Sequence, residues 1–295
     1  MKNLKGILAI ALLHLFIGCQ DVIDVDLPEN EPRIILDAII RIDESQDFSS
    51  VRIKASTTSS FFDSNQPAML SSLQISNEAT GDFVLFGPDP SIPGRYIPVP
   101  AFGSPVNDMN QAATSFFTTN DPLTLTFTYE DQLFLASTTY VPTTPIDSVE
   151  QGDGSLFDDE DTEVVISFTD IPDQENFYVF DFDFGEFLGT EDTFYPGQEF
   201  QFSYFYSEAL EVGDIVEISI LGADEDFYNY INLLVEQSEA GDNPFQTPVT
   251  TVRGNYINVT NIDNTDVFDN VDDANNFALG YFAVVQEYKQ SFIVE

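Results

Sequence analysis

The chain has no tryptophan, one cysteine, one histidine and nine lysines and arginines together in 295 residues. Each shortage closes off some chemistry. Cys19 has no partner for an internal disulfide. The lone histidine, His14, sits inside an N-terminal apolar run, so neither a Ser-His-Asp triad nor a Cys-His pair can be assembled in a chain that loses that run. Zinc is left without its usual ligands. Neither a GxxxxGK[ST] phosphate loop nor a GxGxxG turn occurs. Nine basic residues stand against 51 acidic ones, a formal charge of −42. Such a surface is repelled by the phosphates of nucleic acids and by anionic lipid headgroups, so nucleic-acid binding is excluded.

What is present begins with MKNLKGILAIALLHLFIGC. Lys2 and Lys5 give a positive start, and Ile7 to Ile17 is apolar apart from His14. A helix that crosses a bilayer needs about 20 apolar residues, so this shorter run reads as the core of a secretory signal. Gly18 then precedes Cys19, the arrangement of a bacterial lipoprotein signal, in which cleavage before the cysteine leaves its thiol to carry a diacylglycerol. Phe16 stands where leucine is usual, and an ordinary signal peptide with a chance cysteine is the competing reading. Asp21, Asp24 and Asp26 follow at once. They resemble the short acidic cluster that marks lipoproteins of Bacteroidota for export to the cell surface. Cleavage after residue 18 removes Lys2, Lys5 and His14 and leaves seven basic residues against 51 acidic ones.

The rest of the chain reads as strands. Leu123, Leu125, Phe127 and Tyr129 alternate with three threonines, the pattern of a half-buried strand. Ile34–Ile42, Val51–Ala55, Leu73–Asn77, Phe83–Phe86 and Leu133–Tyr140 read similarly, with Gly and Pro turns between them. Pro142 and Pro145 stiffen a connection. Strands resume at Val164–Phe168, Asn176–Phe184, Glu199–Tyr206 and Val216–Leu221, and two closing strands are expected at Phe277–Gln286 and Gln290–Val294. Tyr178, Phe180, Phe182 and Phe184 share one face, with Asp181 and Asp183 opposite. A helix is expected over about 224–240, capped near Asp224 and ended by Gly241 and Pro244. Its stripe of Phe227, Tyr230, Ile231 and Leu234 should be buried, and Glu225, Asn229, Asn232 and Glu236 should face solvent. The fold class is mostly β: a signal at 1–18, a lipidated tether at 19–32, an immunoglobulin- or transthyretin-like β-sandwich at 33–145, and a β-rich domain with one α-helix at 146–295.

Hard cations take carboxylate oxygens, which makes calcium the metal to consider. Asp263, Asp266, Asp269, Asp272 and Asp273 form the densest acidic stretch, but it lacks the glycine and terminal glutamate of an EF-hand loop. A solvated loop explains it as well, as it does Asp158–Asp161. Carboxylate pairs could also hydrolyse glycosides, yet 51 acids give no way to select a pair. Tyr195, Tyr204, Phe205 and Tyr206 could stack on a sugar, although in strands such rings more often fill a core. No catalytic residue, metal or cofactor is expected beyond lipid on Cys19.

Four pieces in order carry a family likeness: Asp226-Phe-Tyr-Asn-Tyr230, Asn243-Pro-Phe-Gln-Thr-Pro248, Arg253-Gly-Asn-Tyr-Ile-Asn258 and Ala278-Leu-Gly-Tyr-Phe282. With Asp24-Val-Asp-Leu-Pro28 and Pro32-Arg-Ile-Ile-Leu36 they resemble the family catalogued as domain of unknown function 4249. That resemblance implies an outer-membrane lipoprotein, held to the membrane by its lipid and often encoded beside TonB-dependent receptors. It brings no catalytic residues. The implied role is a non-enzymatic binding or accessory subunit of an outer-membrane β-barrel complex, with a TonB-dependent transporter as the leading partner. A structural or assembly factor that binds no nutrient is the alternative.

Overall fold

The computed structural model describes residues 32–59, 64–154, 162–206, 210–240, 251–264 and 276–295. Cys19, Asp21, Asp24, Asp26, Asp266, Asp269, Asp272 and Asp273 lie outside the described residues, as do Asp158–Asp161, Gly241 and the Asn243–Pro248 stretch. The protein is mostly β, as its alternating pattern requires. In β1 (Ile34–Ile42) every second side chain is buried, from Ile34 through Ile42, and Asp37 on the other face is exposed.

The chain continues through β2 (Phe48–Ser49), β3 (Ile53–Thr57), β4 (Gln66–Pro67), β5 (Ser72–Asn77), β6 (Phe83–Pro88), β7 (Arg95–Val99) and β8 (Ala112–Ala113). A one-turn helix, Thr114–Phe117, then leads into β9 (Leu123–Tyr129), β10 (Gln132–Thr138) and β11 (Tyr140–Val141). The ladder order is β1-β3-β7-β6-β5-β9-β10, with every neighbouring pair antiparallel. Leu36, Ile75, Leu125, Phe127 and Phe134 fill the core enclosed by these strands. The rings of Phe127 and Phe134 stack 4.8 Å apart, on paired residues of β9 and β10.

The second half opens with β12 (Ile146–Gln151) and β13 (Glu163–Thr169), followed by the hairpin β14 (Phe177–Asp181) and β15 (Phe187–Glu191). Next come a 3-10 turn at Asp192–Phe194, β16 (Glu199–Phe205) and β17 (Ile215–Ala223). The α-helix Glu225–Ala240, the short β18 (Ile257–Asn258) and β19 (Phe282–Ile293) complete the chain. β12, β13 and β16 form a three-stranded sheet. The inner faces of β13, β14 and β17 share a second core of Val164, Ile166, Phe168, Tyr178, Phe180, Ile218 and Ile220. The link between the halves is itself packed: Thr143 and Thr144 are buried, and the Thr143 amide donates to Gln286 Oε1 at 2.8 Å.

β19 joins the parts. Its first residues pair in parallel with β1, from Ala38–Phe282 to Ile42–Gln286, and β11 pairs with Val284 and Val285. The continuous segment 132–141 thereby closes the circuit of strands around the first core. Further along, Glu287 to Ile293 pair antiparallel with β17. The sequence pattern predicts two closing strands here, and the structure has one. Apolar alternation breaks at Glu287 and Lys289 because these side chains are satisfied by charge instead. Arg41 reaches Asp181 at 2.7 Å and Glu287 at 3.2 Å, and Lys289 reaches Glu217 at 2.7 Å. Burial works against the Arg41 charge, but Asp181 and Glu287 outweigh it and its pKa is raised.

Among the described residues no helix is long and apolar enough to cross a membrane, a statement that leaves strands aside.

Candidate functional site

The helix Glu225–Ala240 is started by Asp224, whose carboxylate accepts the Phe227 amide at 2.8 Å. The helix lies over the outer face of β15, β14 and β17, and Phe227, Tyr230 and Ile231 share a buried cluster with Val179, Leu221, Ala223, Ala283 and Val285. Packing of this stripe holds the helix, since an isolated helix of its length is marginal in water. Leu234 departs from the expected stripe. It is 37% exposed, because the helix runs past the covered part of the sheet and leaves a groove beneath its last turns. Ile231→Ala should therefore cost about 2–5 kcal/mol of stability, and Leu234→Ala no more than about 1 kcal/mol. Equilibrium denaturation of both variants checks the difference.

The groove has a volume of about 410 Å³. Its floor is the outward face of β1, Ile35, Asp37 and Ile39, together with Gly280 and Tyr281. Its walls are Tyr230, Ile231, Leu234, Val235 and Ser238 of the helix on one side and Gly185 and Phe187 of the β14–β15 hairpin on the other. Among the described residues, no hydrogen bond or ion pair reaches the Asp37 carboxylate. Lys54 is its cross-strand neighbour in β3. Burial, and then the charge of Asp37, push the Tyr230 hydroxyl up to about 12. Burial likewise raises the Tyr281 hydroxyl, so both phenols are neutral donors at ordinary pH.

Three of the motif pieces that are far apart in sequence meet at this place. The Tyr281 ring lies 5.3 Å from Phe227 and 4.7 Å from Tyr230, centroid to centroid. Gly254 approaches Gly280 so closely that a Cβ on it would strike the Gly280 carbonyl. Gly280 has φ +91° and passes over Leu36, whose backbone a Cβ would also strike. Asn255 completes the junction. Its side-chain amide donates to the Phe282 carbonyl at 2.8 Å and accepts the Phe282 amide at 2.9 Å, as a neighbouring strand would. Gly254 and Asn255 together thus make a close backbone crossing and a surrogate strand contact.

The other sequence candidates fall elsewhere. Asp263 is exposed, and among the described residues no group of three or more His, Cys, Asp or Glu side chains is arranged to hold a metal. Tyr195 and Tyr206 are buried in the second core. Tyr195 stacks on Phe200 at 4.1 Å, and Tyr204 stacks on Phe182 at 3.6 Å. Phe205 is half-buried. Phe184, expected to share a face with Phe182, is 61% exposed where Phe182 is buried, because Asp183 and Phe184 form the left-handed tip of the β14–β15 hairpin. Asp170, only 2% exposed, accepts the Tyr178 hydroxyl and the Gly197 amide and so ties β13 to the turn before β16. The groove was not legible in the sequence, since Ile35, Asp37 and Ile39 read only as the outer face of a strand.

No curated protein matches the chain. The family model described as "Domain of unknown function (DUF4249)" matches residues 20–291. That span runs from directly after Cys19 to within β19 and takes in every motif piece that meets at the groove. The chain therefore belongs to the domain of unknown function 4249 family.

Proposed function

We propose that the protein is an outer-membrane lipoprotein, anchored through lipid on Cys19 and displayed at the cell surface, that serves as a non-enzymatic binding or accessory subunit of an outer-membrane β-barrel complex. A TonB-dependent transporter is the leading partner. The observation that carries this reading is the N-terminal run: Lys2 and Lys5, the apolar Ile7–Ile17, then Gly18-Cys19 with acid directly behind it. The net charge of −42 disfavours direct adsorption to anionic headgroups, so a covalent lipid is the consistent means of attachment. An open apolar groove suits a binding role.

The lipid is tested by growing cells with a clickable fatty acid. Wild-type protein takes up the label and Cys19→Ala does not; label retained by the alanine variant refutes the assignment. The partner is tested by affinity capture from mildly solubilised outer membranes. Recovery of a transporter barrel supports the accessory role, and recovery of assembly machinery instead replaces it with a scaffolding one.

A further inference from the structure

The groove beneath the helix has a chemistry of its own, independent of how the chain is anchored. Most of its lining is aliphatic or aromatic, and a single carboxylate, Asp37, stands on its floor. Asp37 is exposed, so its charge faces solvent in the free protein and is open to a ligand that enters the groove. Lys54 is the cation nearest in register, but it makes no ion pair with Asp37 among the described residues. Tyr230 and Tyr281 add two neutral phenol rings to the same lining, and aromatic faces attract organic cations.

We infer that this groove binds an amphipathic organic cation, with a protonated amine at Asp37 and an apolar body between the helix and the hairpin. At about 410 Å³ the groove lies within the ~300–1,000 Å³ range of small-molecule sites. Ile35, Ile39, Leu234 and Phe187 contact the body, and Asp37 with the tyrosine rings selects the charge. The strongly negative chain favours the same sign of ligand, because its field concentrates cations near the surface. A carboxylate-bearing ligand of equal size is rejected, since its charge would meet Asp37 directly.

Phenethylammonium is a suitable probe, with phenethyl alcohol and hydrocinnamate as its neutral and anionic counterparts. Titrations use the full chain in a mild nonionic detergent, followed by calorimetry and by ligand-observed NMR. Micelle partitioning is removed by comparing variants under one condition. The cation should bind at least about tenfold tighter than the alcohol, the scale of one charge-assisted hydrogen bond, and hydrocinnamate should not bind. Asp37→Asn keeps the shape and removes the charge; it should weaken the cation about tenfold while leaving the alcohol and the melting temperature unchanged. Leu234→Trp fills the groove from an exposed position and should abolish binding of both cation and alcohol. Equal binding of alcohol and cation, or undiminished cation binding by Asp37→Asn, overturns the inference. So does the absence of cation binding at millimolar concentration.

Discussion

Gly280→Ala should lower stability by at least about 4 kcal/mol, putting it among the most damaging single changes available to this chain. Two costs add. At φ +91° an L-residue is strained, by about 1–2 kcal/mol. The new methyl would also strike the Leu36 backbone, which β1 cannot move without losing its parallel ladder to β19. Alanine elsewhere separates the costs. Gly81 has φ +79° but open space around it, so Gly81→Ala should show the backbone term alone, about 1 kcal/mol. Gly254 has no left-handed φ but meets the Gly280 carbonyl, so Gly254→Ala should show the contact term alone. Thermal melts of the three variants test this. Gly280→Ala should fall by roughly 10 °C or more. A Gly280→Ala melt no lower than that of Gly81→Ala would mean that the crossing yields and that the close approach is not needed.

Phe168→Ala should cost about 3–5 kcal/mol. The ring is fully buried and lies at the centre of an aromatic cluster, with Tyr178 at 5.1 Å, Phe180 at 5.4 Å, Tyr195 at 5.8 Å and Phe200 at 6.0 Å. Rigid rings on several strands cannot collapse into the space of a lost phenyl, so the cavity persists. The place of the damage is as informative as its size. The cluster around Phe168 is separate from the one around Phe127. Amide hydrogen exchange should therefore speed up first in β13, β14 and β17, while β5, β9 and β10 keep their protection. Uniform acceleration across all six strands would show that the two cores open as one, against the boundary near residue 146 read from the sequence.

How much could be read in advance follows from how local each signal is. Leu123–Tyr129 was legible because alternation is a property of neighbours, and β9 occupies those same residues. The helix was legible because Asp224 caps it and its stripe repeats at helical spacing. Leu234 misled because the stripe shows which way a side chain points but not how far the sheet beneath extends. The single long β19 was hidden at Glu287 and Lys289, whose partners Arg41 and Glu217 are distant in sequence. β12 and β15 were missed because their alternation is weak; β15 is half-exposed throughout. The groove joins β1, the hairpin, the helix and Gly280-Tyr281, four segments whose meeting only the fold creates.

The parallel pairing of β1 with β19 also has a mechanical consequence. β1 begins two residues after Pro32, on the side of the chain that leads back to Cys19, whereas the far end of β19 is bonded to β17 at Ile293. A pull applied at Arg33 and resisted at Ile293 acts on opposite ends of two parallel strands. The hydrogen bonds from Ala38–Phe282 to Ile42–Gln286 are then loaded in shear, all together, rather than peeled one after another. Pulled between these points in an optical trap, the chain should rupture at a higher force than when pulled across the antiparallel edge pair β14–β15, whose bonds unzip in sequence.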